Sequence, residues 1–133
     1  SSAFFLSTLG FAAKSSYDSA RPYNFSPQPI SGAAEMERGT ALNFAYPDEE
    51  ESAILIRSRD GSYHAFGQKC THLSCAVIPR PAEGSFFCPC HEGRFDLRTG
   101  APTAGPPRRP LTRIVLDIRD RDIYAVAVEE RTT

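Results

Sequence analysis

The sequence predicts an all-β protein, and three observations carry the prediction. Apolar residues alternate with small or polar ones in short runs, as Leu42, Phe44 and Tyr46 do against Ala41, Asn43 and Ala45, which is the pattern of a half-buried strand. From Gly39 onward no run repeats with the helical period. Eleven prolines and nine glycines among 133 residues supply the turns that a strand-rich chain needs. The length suits about one domain. A net charge of −1 with 41% hydrophobic residues is globular and lacks the basic footprint of a nucleic-acid binder.

Taken in order, residues 1–14 form an apolar N-terminal segment, uncharged from Ala3 to Ala13 and ended by Lys14. A bilayer span needs roughly 20 such residues. Three readings stand for it: the end of a membrane anchor, the remnant of an export signal, or a helix docked on a partner. Residues 15–38 read as a linker or arm, because Tyr17, Tyr23 and Phe25 are interspersed with Ser, Asn and Pro.

The folded domain is expected over 39–133. Its strands are 39–46, 53–59 and 62–66, then 113–118 and 123–128. Asp60-Gly61 joins the second and third as a two-residue hairpin, since glycine tolerates the positive φ such turns require. The last two reverse through Asp120-Arg121-Asp122. The acidic run 48–51 reads as a solvated loop, and His64 as a structural or surface histidine. Three prolines in the five residues 106–110 make a stiff loop that cannot join a hydrogen-bond ladder.

The chemistry is concentrated in one stretch, CTHLSCAVIPRPAEGSFFCPCHEGRFD from Cys70 to Asp96, which holds all four cysteines and two of the three histidines. Two loops each offer a Cys with a nearby His, Cys70-x-His72 and Cys88-x-x-His91, and each carries a second cysteine, Cys75 and Cys90. A tetrahedral Cys₂His₂ zinc site is one reading. Against it, zinc fingers usually pair like with like, whereas both loops here are mixed, and Cys75 and Cys90 are left over. Two structural disulfides are another reading, in which the histidines have no role. A third is a 2Fe-2S cluster with two thiolates on one iron and two imidazoles on the other, which requires mixed loops.

CTHLSC with CPCHEGRFD resembles the paired boxes of Rieske iron-sulfur proteins, and the resemblance extends over about 39–128. It implies small antiparallel sheets with an inserted cluster-binding subdomain, about 68–111, and a Rieske-type 2Fe-2S cofactor. It makes Cys70 and Cys88 the thiolate ligands and His72 and His91 the imidazole ligands. It also implies that Cys75 and Cys90 form a disulfide between the loops, closing about 15 residues and contributing a few kcal/mol of rigidity. Rieske ferredoxins and oxygenase domains generally lack that pair; subunits of cytochrome bc-type complexes and of arsenite oxidase resemble this chain in having it. A disulfide implies an oxidising compartment, so the head domain is expected on the extracytoplasmic side of a membrane.

Gly105-Pro106-Pro107 looks like the proline loop that covers the cluster and limits water access. Arg108 and Arg109 continue it, either as cations attracting an acidic partner or as solvated residues. High-potential relatives run CPCHGS and then a tyrosine two positions on, and both hydroxyls donate hydrogen bonds to cluster sulfurs. Here Glu92 and Gly93 stand at the Gly-Ser positions and Phe95 at the tyrosine. Their loss, with the added Glu92 carboxylate, predicts a low-to-intermediate potential within the range known for Rieske centres generally, roughly −150 to +300 mV.

The resemblance implies an electron-transfer subunit of a quinol-oxidising membrane complex, working with a b-type cytochrome and passing electrons to a c-type cytochrome or similar acceptor. On that reading, an exposed imidazole takes the quinol proton. The alternatives are the small Rieske subunit of an extracytoplasmic molybdenum oxidoreductase such as arsenite oxidase, and the ferredoxin of an oxygenase. No hydrolytic triad or catalytic carboxylate pair stands out.

Overall fold

In a computed structural model of the chain, residues 23–71 and 75–129 are described, with side chains from Ser26 onward. Ten strands follow one another: β1 (Tyr23–Pro29), β2 (Thr40–Ala45), β3 (Ser52–Arg57), β4 (Tyr63–Gly67), β5 (Ile78–Arg80), β6 (Ser85–Cys88), β7 (Gly93–Asp96), β8 (Pro102–Ala104), β9 (Arg113–Arg119) and β10 (Asp122–Glu129). They make two antiparallel sheets, one of six strands in the order β1-β10-β9-β4-β3-β2 and one of four in the order β5-β6-β7-β8. The all-β expectation holds. The segment 1–14 lies outside the described residues, among which no helix is long and apolar enough to cross a membrane.

Prolines explain which strands sit at the edges. A proline has no N–H to give to a ladder, so it is tolerated where one side of the strand is unpaired. Pro27 and Pro29 lie in β1, Pro79 in β5 and Pro102 in β8, and all three are edge strands. β1 pairs with β10, Tyr23 opposite Val128 and Pro29 opposite Tyr124, with a register shift between Asn24 and Gln28.

Strand β3 is the wall between two cores. Ala53, Ile54, Leu55 and Ile56 are all fully buried, a continuous apolar run instead of an alternating one, as expected of a strand covered on both faces. Because successive side chains point to opposite faces, Ala53 and Leu55 join Ile30, Met36, Tyr46, Ile114 and Ile123 in one cluster. Ile54 and Ile56 join Phe66, Phe86 and Phe95 in the other, which also contains Cys70 and Cys88. Burying each of those isoleucines stabilises the fold by about 1.5–3 kcal/mol, so the sheet and the cysteine-bearing loops share one apolar interior.

The β3–β4 turn differs from the expected two-residue hairpin. Arg57 pairs with Tyr63, Ser58 N–H donates to Ser62 O at 2.8 Å, and Gly61 N–H donates to Ser58 O at 2.9 Å. The loop proper is therefore Arg59-Asp60-Gly61, with Gly61 at φ 92°. Asp60 selects it, because its Oδ1 accepts both the N–H and the hydroxyl of Ser62, at 2.9 and 2.6 Å.

Candidate metal centre

The first Cys/His loop leaves the six-stranded sheet at the end of β4 and is closed on itself by Cys70 N–H donating to Cys75 O at 2.6 Å. Below it, Lys69 and Ala76 form an isolated bridge. Gln68 pins this base to the sheet: its Nε2 donates to Val77 O at 3.0 Å, while its Oε1 accepts from Asn43 Nδ2 at 3.0 Å and from the Ser52 hydroxyl. The role of Gln68 was not legible from the sequence, since its partners come from β2, β3 and the far side of the loop. His72, with Leu73 and Ser74, lies outside the described residues.

The second loop is the end of a hairpin. Cys88, the last residue of β6, pairs with Gly93, the first of β7, so Pro89 to Glu92 form the connection. Cys88 is buried, whereas Cys90, His91 and Glu92 are exposed. Glu92 occupies the left-handed region at φ 58°, a conformation that costs a non-glycine residue about 1–2 kcal/mol.

Cys75 and Cys90 are joined in a disulfide with their Cα atoms 6.5 Å apart. It ties the first loop to the second across a sequence separation of 15. Cys70 and Cys88 are outside the disulfide and buried, at 3% and 2% exposure.

A third loop closes over the second. Gly105 has φ 83°, and a Cβ there would meet Gly93 Cα at 2.7 Å and Glu92 O at 2.9 Å. Pro107 is buried and Pro106 exposed, and Pro107 lies directly over Gly93. Arg109 ties the same loop to the first one: its carbonyl accepts from Thr71 Oγ1 at 2.7 Å, and its Nη2 donates to Thr71 O at 3.4 Å. Arg109, expected with Arg108 either to attract an acidic partner or to be solvated, therefore makes a contact within the molecule.

Among the described residues, no group of three or more His, Cys, Asp or Glu side chains gathers as a metal site. What the structure brings together is the sulfur half of the predicted donor set. Two buried thiols, one from each loop, share an apolar cluster, with His91 on the adjoining exposed turn and the disulfide between the loops. Buried, unoxidised thiols beside an intact disulfide are the donor chemistry a thiolate-ligated iron needs, and a glycine-lined contact with a proline loop limits solvent at that end. Phe95, at the position of the expected tyrosine, is fully buried and lacks a hydroxyl.

His64, read as structural, lies away from these loops on β4 opposite Ile56. Its Nε2 is 3.0 Å from Ser62 Oγ. Burial holds its imidazole below the ordinary value; Arg98 and Arg113 act the same way, and Asp60 and Asp96 oppose them. The Asp60 carboxyl is held below its ordinary value by hydrogen bonds from Ser62, chiefly the side chain.

The sequence profile of the Rieske [2Fe-2S] domain matches residues 26–119. Among curated proteins, the chain is 45% identical over 67 residues to the carotenoid phi-ring synthase of Chlorobaculum tepidum, covering 50% of this chain and 10% of that protein. It is 31% identical over 118 residues to the iodate reductase subunit IdrB of Denitromonas iodatirespirans, covering 75% of this chain and 61% of that one. It is 32% identical over 82 residues to the cytochrome b6-f complex iron-sulfur subunit of Chlorobaculum thiosulfatiphilum, covering 62% and 43%. The chain thus spans between a tenth and about three-fifths of these relatives. Among solved structures, the ferredoxin of carbazole 1,9a-dioxygenase from Nocardioides aromaticivorans IC177 superposes with a TM-score of 0.60 at 27% identity, covering 77% of this chain and 98% of the ferredoxin. With the fold, the disulfide-tied loops and the profile match over most of its length, this chain belongs to the Rieske [2Fe-2S] domain family: it is an electron-transfer domain whose cofactor is a Rieske-type 2Fe-2S cluster.

Proposed function

We propose that this domain carries single electrons as the iron-sulfur subunit of a membrane-associated, quinol-oxidising electron-transport complex. Cys70 and Cys88 are the thiolate ligands of one iron, and His72 and His91 the imidazole ligands of the other. When bound, the cluster supplies a one-electron couple. The chain's own residues set its surroundings: the Cys75–Cys90 disulfide holds the ligand loops together, Pro107 packed on Gly93 covers the end of the second loop where it enters β7, and Phe95 offers an apolar ring where a hydroxyl would donate to sulfur. Hydrogen bonds to sulfur stabilise the more negative, reduced cluster, so their absence supports a low-to-intermediate potential. A lowered potential suits a strongly reducing quinol such as menaquinol.

The observation that carries this reading is the disulfide. It supports an extracytoplasmic head domain, because such bonds persist in oxidising compartments, and it separates the chain from the oxygenase ferredoxins that generally lack the pair. The likeness to a cytochrome b6-f iron-sulfur subunit supports a b-type cytochrome as neighbour and a c-type cytochrome or similar protein as acceptor. A second reading, the small Rieske subunit of an extracytoplasmic molybdenum oxidoreductase, is favoured by the iodate reductase subunit, which matches a larger share of both chains.

Two measurements test these readings. The reduced protein should give an EPR signal whose average g lies below that of all-cysteine clusters; bound zinc without iron would refute the cluster assignment. Purification from the native membrane should bring down a b-type cytochrome; recovery of a molybdopterin subunit instead selects the second reading.

A further inference from the structure

The near-neutral charge of the chain hides a strong asymmetry. Residues 68–111, which hold the ligand loops and the four-stranded sheet, carry six lysines and arginines against three carboxylates. The rest of the described chain carries six against eleven. The lobe bearing the cysteines is therefore positive and the six-stranded base negative, a separation that orients an incoming charged protein before contact.

On the outer face of the four-stranded sheet the positive charge is built around an apolar centre. Register places Ile78, Phe87, Arg94 and Ala104 side by side across β5, β6, β7 and β8. Ile78 is 44% exposed, one of two large apolar side chains so open among the described residues. The Arg80 guanidinium lies 4.5 Å from the Phe87 ring centroid and that of Arg94 lies 5.0 Å from it. Glu83 reaches both arginines, at 3.8 and 3.0 Å, so a single carboxylate is shared by two cations and one positive charge is left over. Arginines stacked on an aromatic ring and held by a common carboxylate are already ordered, which lowers the entropic cost of docking. Arginine and aromatic side chains are also the residue types enriched in protein interfaces. Phe87 immediately precedes Cys88, so a protein seated here lies one peptide bond from a ligand residue.

We propose that this face, centred on Ile78, Arg80, Phe87 and Arg94, docks an electron-transfer protein whose contact surface is rich in carboxylates. The proposal rests on the electron-transfer role given above and is independent of the identity of the quinol.

The test is stopped-flow oxidation of the reduced, cluster-loaded protein by two probes: a plastocyanin with an acidic patch and a lysine-rich cytochrome c. The rate with plastocyanin is expected to fall as salt is raised, and that with cytochrome c to rise or stay flat. Arg80→Gln with Arg94→Gln should slow the plastocyanin reaction roughly ten-fold at low salt while leaving the EPR spectrum and midpoint potential unchanged. Arg119→Gln with Arg121→Gln, the same charge change on the base, should leave the rate within about two-fold. Ile78→Ser, which keeps every charge, should slow plastocyanin several-fold even at high salt. Wild-type rates in both Arg80/Arg94 and Ile78 variants, or an equal loss in the base control, would overturn the docking face. Absence of the reduced-cluster EPR signal in the wild type would overturn the electron-transfer reading beneath it.

Discussion

Gly93 lies against Pro107 so closely that a Cβ built on the glycine would come within 2.8 Å of the proline Cγ. The contact joins the second Cys/His loop to the proline loop and changes what a substitution at this position means. High-potential relatives carry serine here, and adding that serine to this chain also adds a carbon where Pro107 already stands. Gly93→Ser is therefore expected to destabilise the domain by about 1–3 kcal/mol, the usual cost of overpacking. Urea unfolding of the cluster-loaded protein measures it. Pro107→Ala in the same molecule should recover much of the loss, and a strictly additive double-mutant cycle would show that the two residues do not meet.

Phe95→Tyr is the cleaner test of potential tuning, because Phe95 is already an aromatic of nearly the same shape, fully buried opposite Phe86. If the new hydroxyl donates to a cluster sulfur, one hydrogen bond of about 1 kcal/mol favouring the reduced form raises the midpoint by roughly 40 mV for a one-electron couple. The outcome that refutes the tuning argument is an unchanged midpoint in a redox titration, accompanied by a stability loss of about 1–3 kcal/mol from an unsatisfied buried hydroxyl.

Removing the bridge between the loops should cost stability without removing a ligand. Cys75→Ala with Cys90→Ala is expected to lower stability by about 3 kcal/mol, the value typical of a loop this long. Thermal loss of the visible absorbance of the cluster reads it directly. A variant that keeps its cluster to the wild-type temperature would show that the disulfide adds little to what holds the first and second loops together.

His64 predicts a pH dependence whose sign is set by burial. Its imidazole is held below the ordinary 6.5, first by desolvation and then by Arg98, with Asp60 and Asp96 opposing and Arg113 adding to Arg98. The unfolded chain therefore takes up the proton more readily than the folded one. The His64 contribution is complete above pH 6.5 and is lost as pH falls toward the depressed folded value. Melting temperatures measured downward from pH 8 should decline through that window, and His64→Gln should flatten the decline. The Asp60 carboxyl, also depressed, enters only at more acidic pH, below its ordinary 3.8.

The sequence was legible where the pattern is local. Leu42, Phe44 and Tyr46 against Asn43 and Ala45 showed a half-covered strand, and β2 has its more buried positions on that face. The long runs that became β3, β9 and β10 were equally plain. β1 falls within the expected linker or arm because its prolines break the alternation and its partner, β10, lies some hundred residues away. β5 and β8 are three residues each and carry Pro79 and Pro102, too short to show a period. In the metal centre, Cys/His spacing pointed to the loops and the family resemblance to the disulfide. The contact of Gly93 with Gly105 and Pro107 depends on how two distant loops fold together, and no local signal encodes it. Glu92 in the left-handed region was visible only as a departure from a glycine.

The chain leaves the six-stranded sheet after β4 and returns to it at β9, and these two strands are neighbours, with Gly67 N–H donating to Thr112 O at 2.9 Å. Exit and entry stand side by side. The stretch between them is anchored beside that step by Gln68, which reaches Asn43 and Ser52, by Arg98 against Asp60, and by Phe86 and Phe95 packed in one cluster with Ile54, Ile56 and Phe66. Any replacement entering and leaving at the same two residues therefore has to bring apolar side chains of its own to cover Ile54, Ile56 and Phe66.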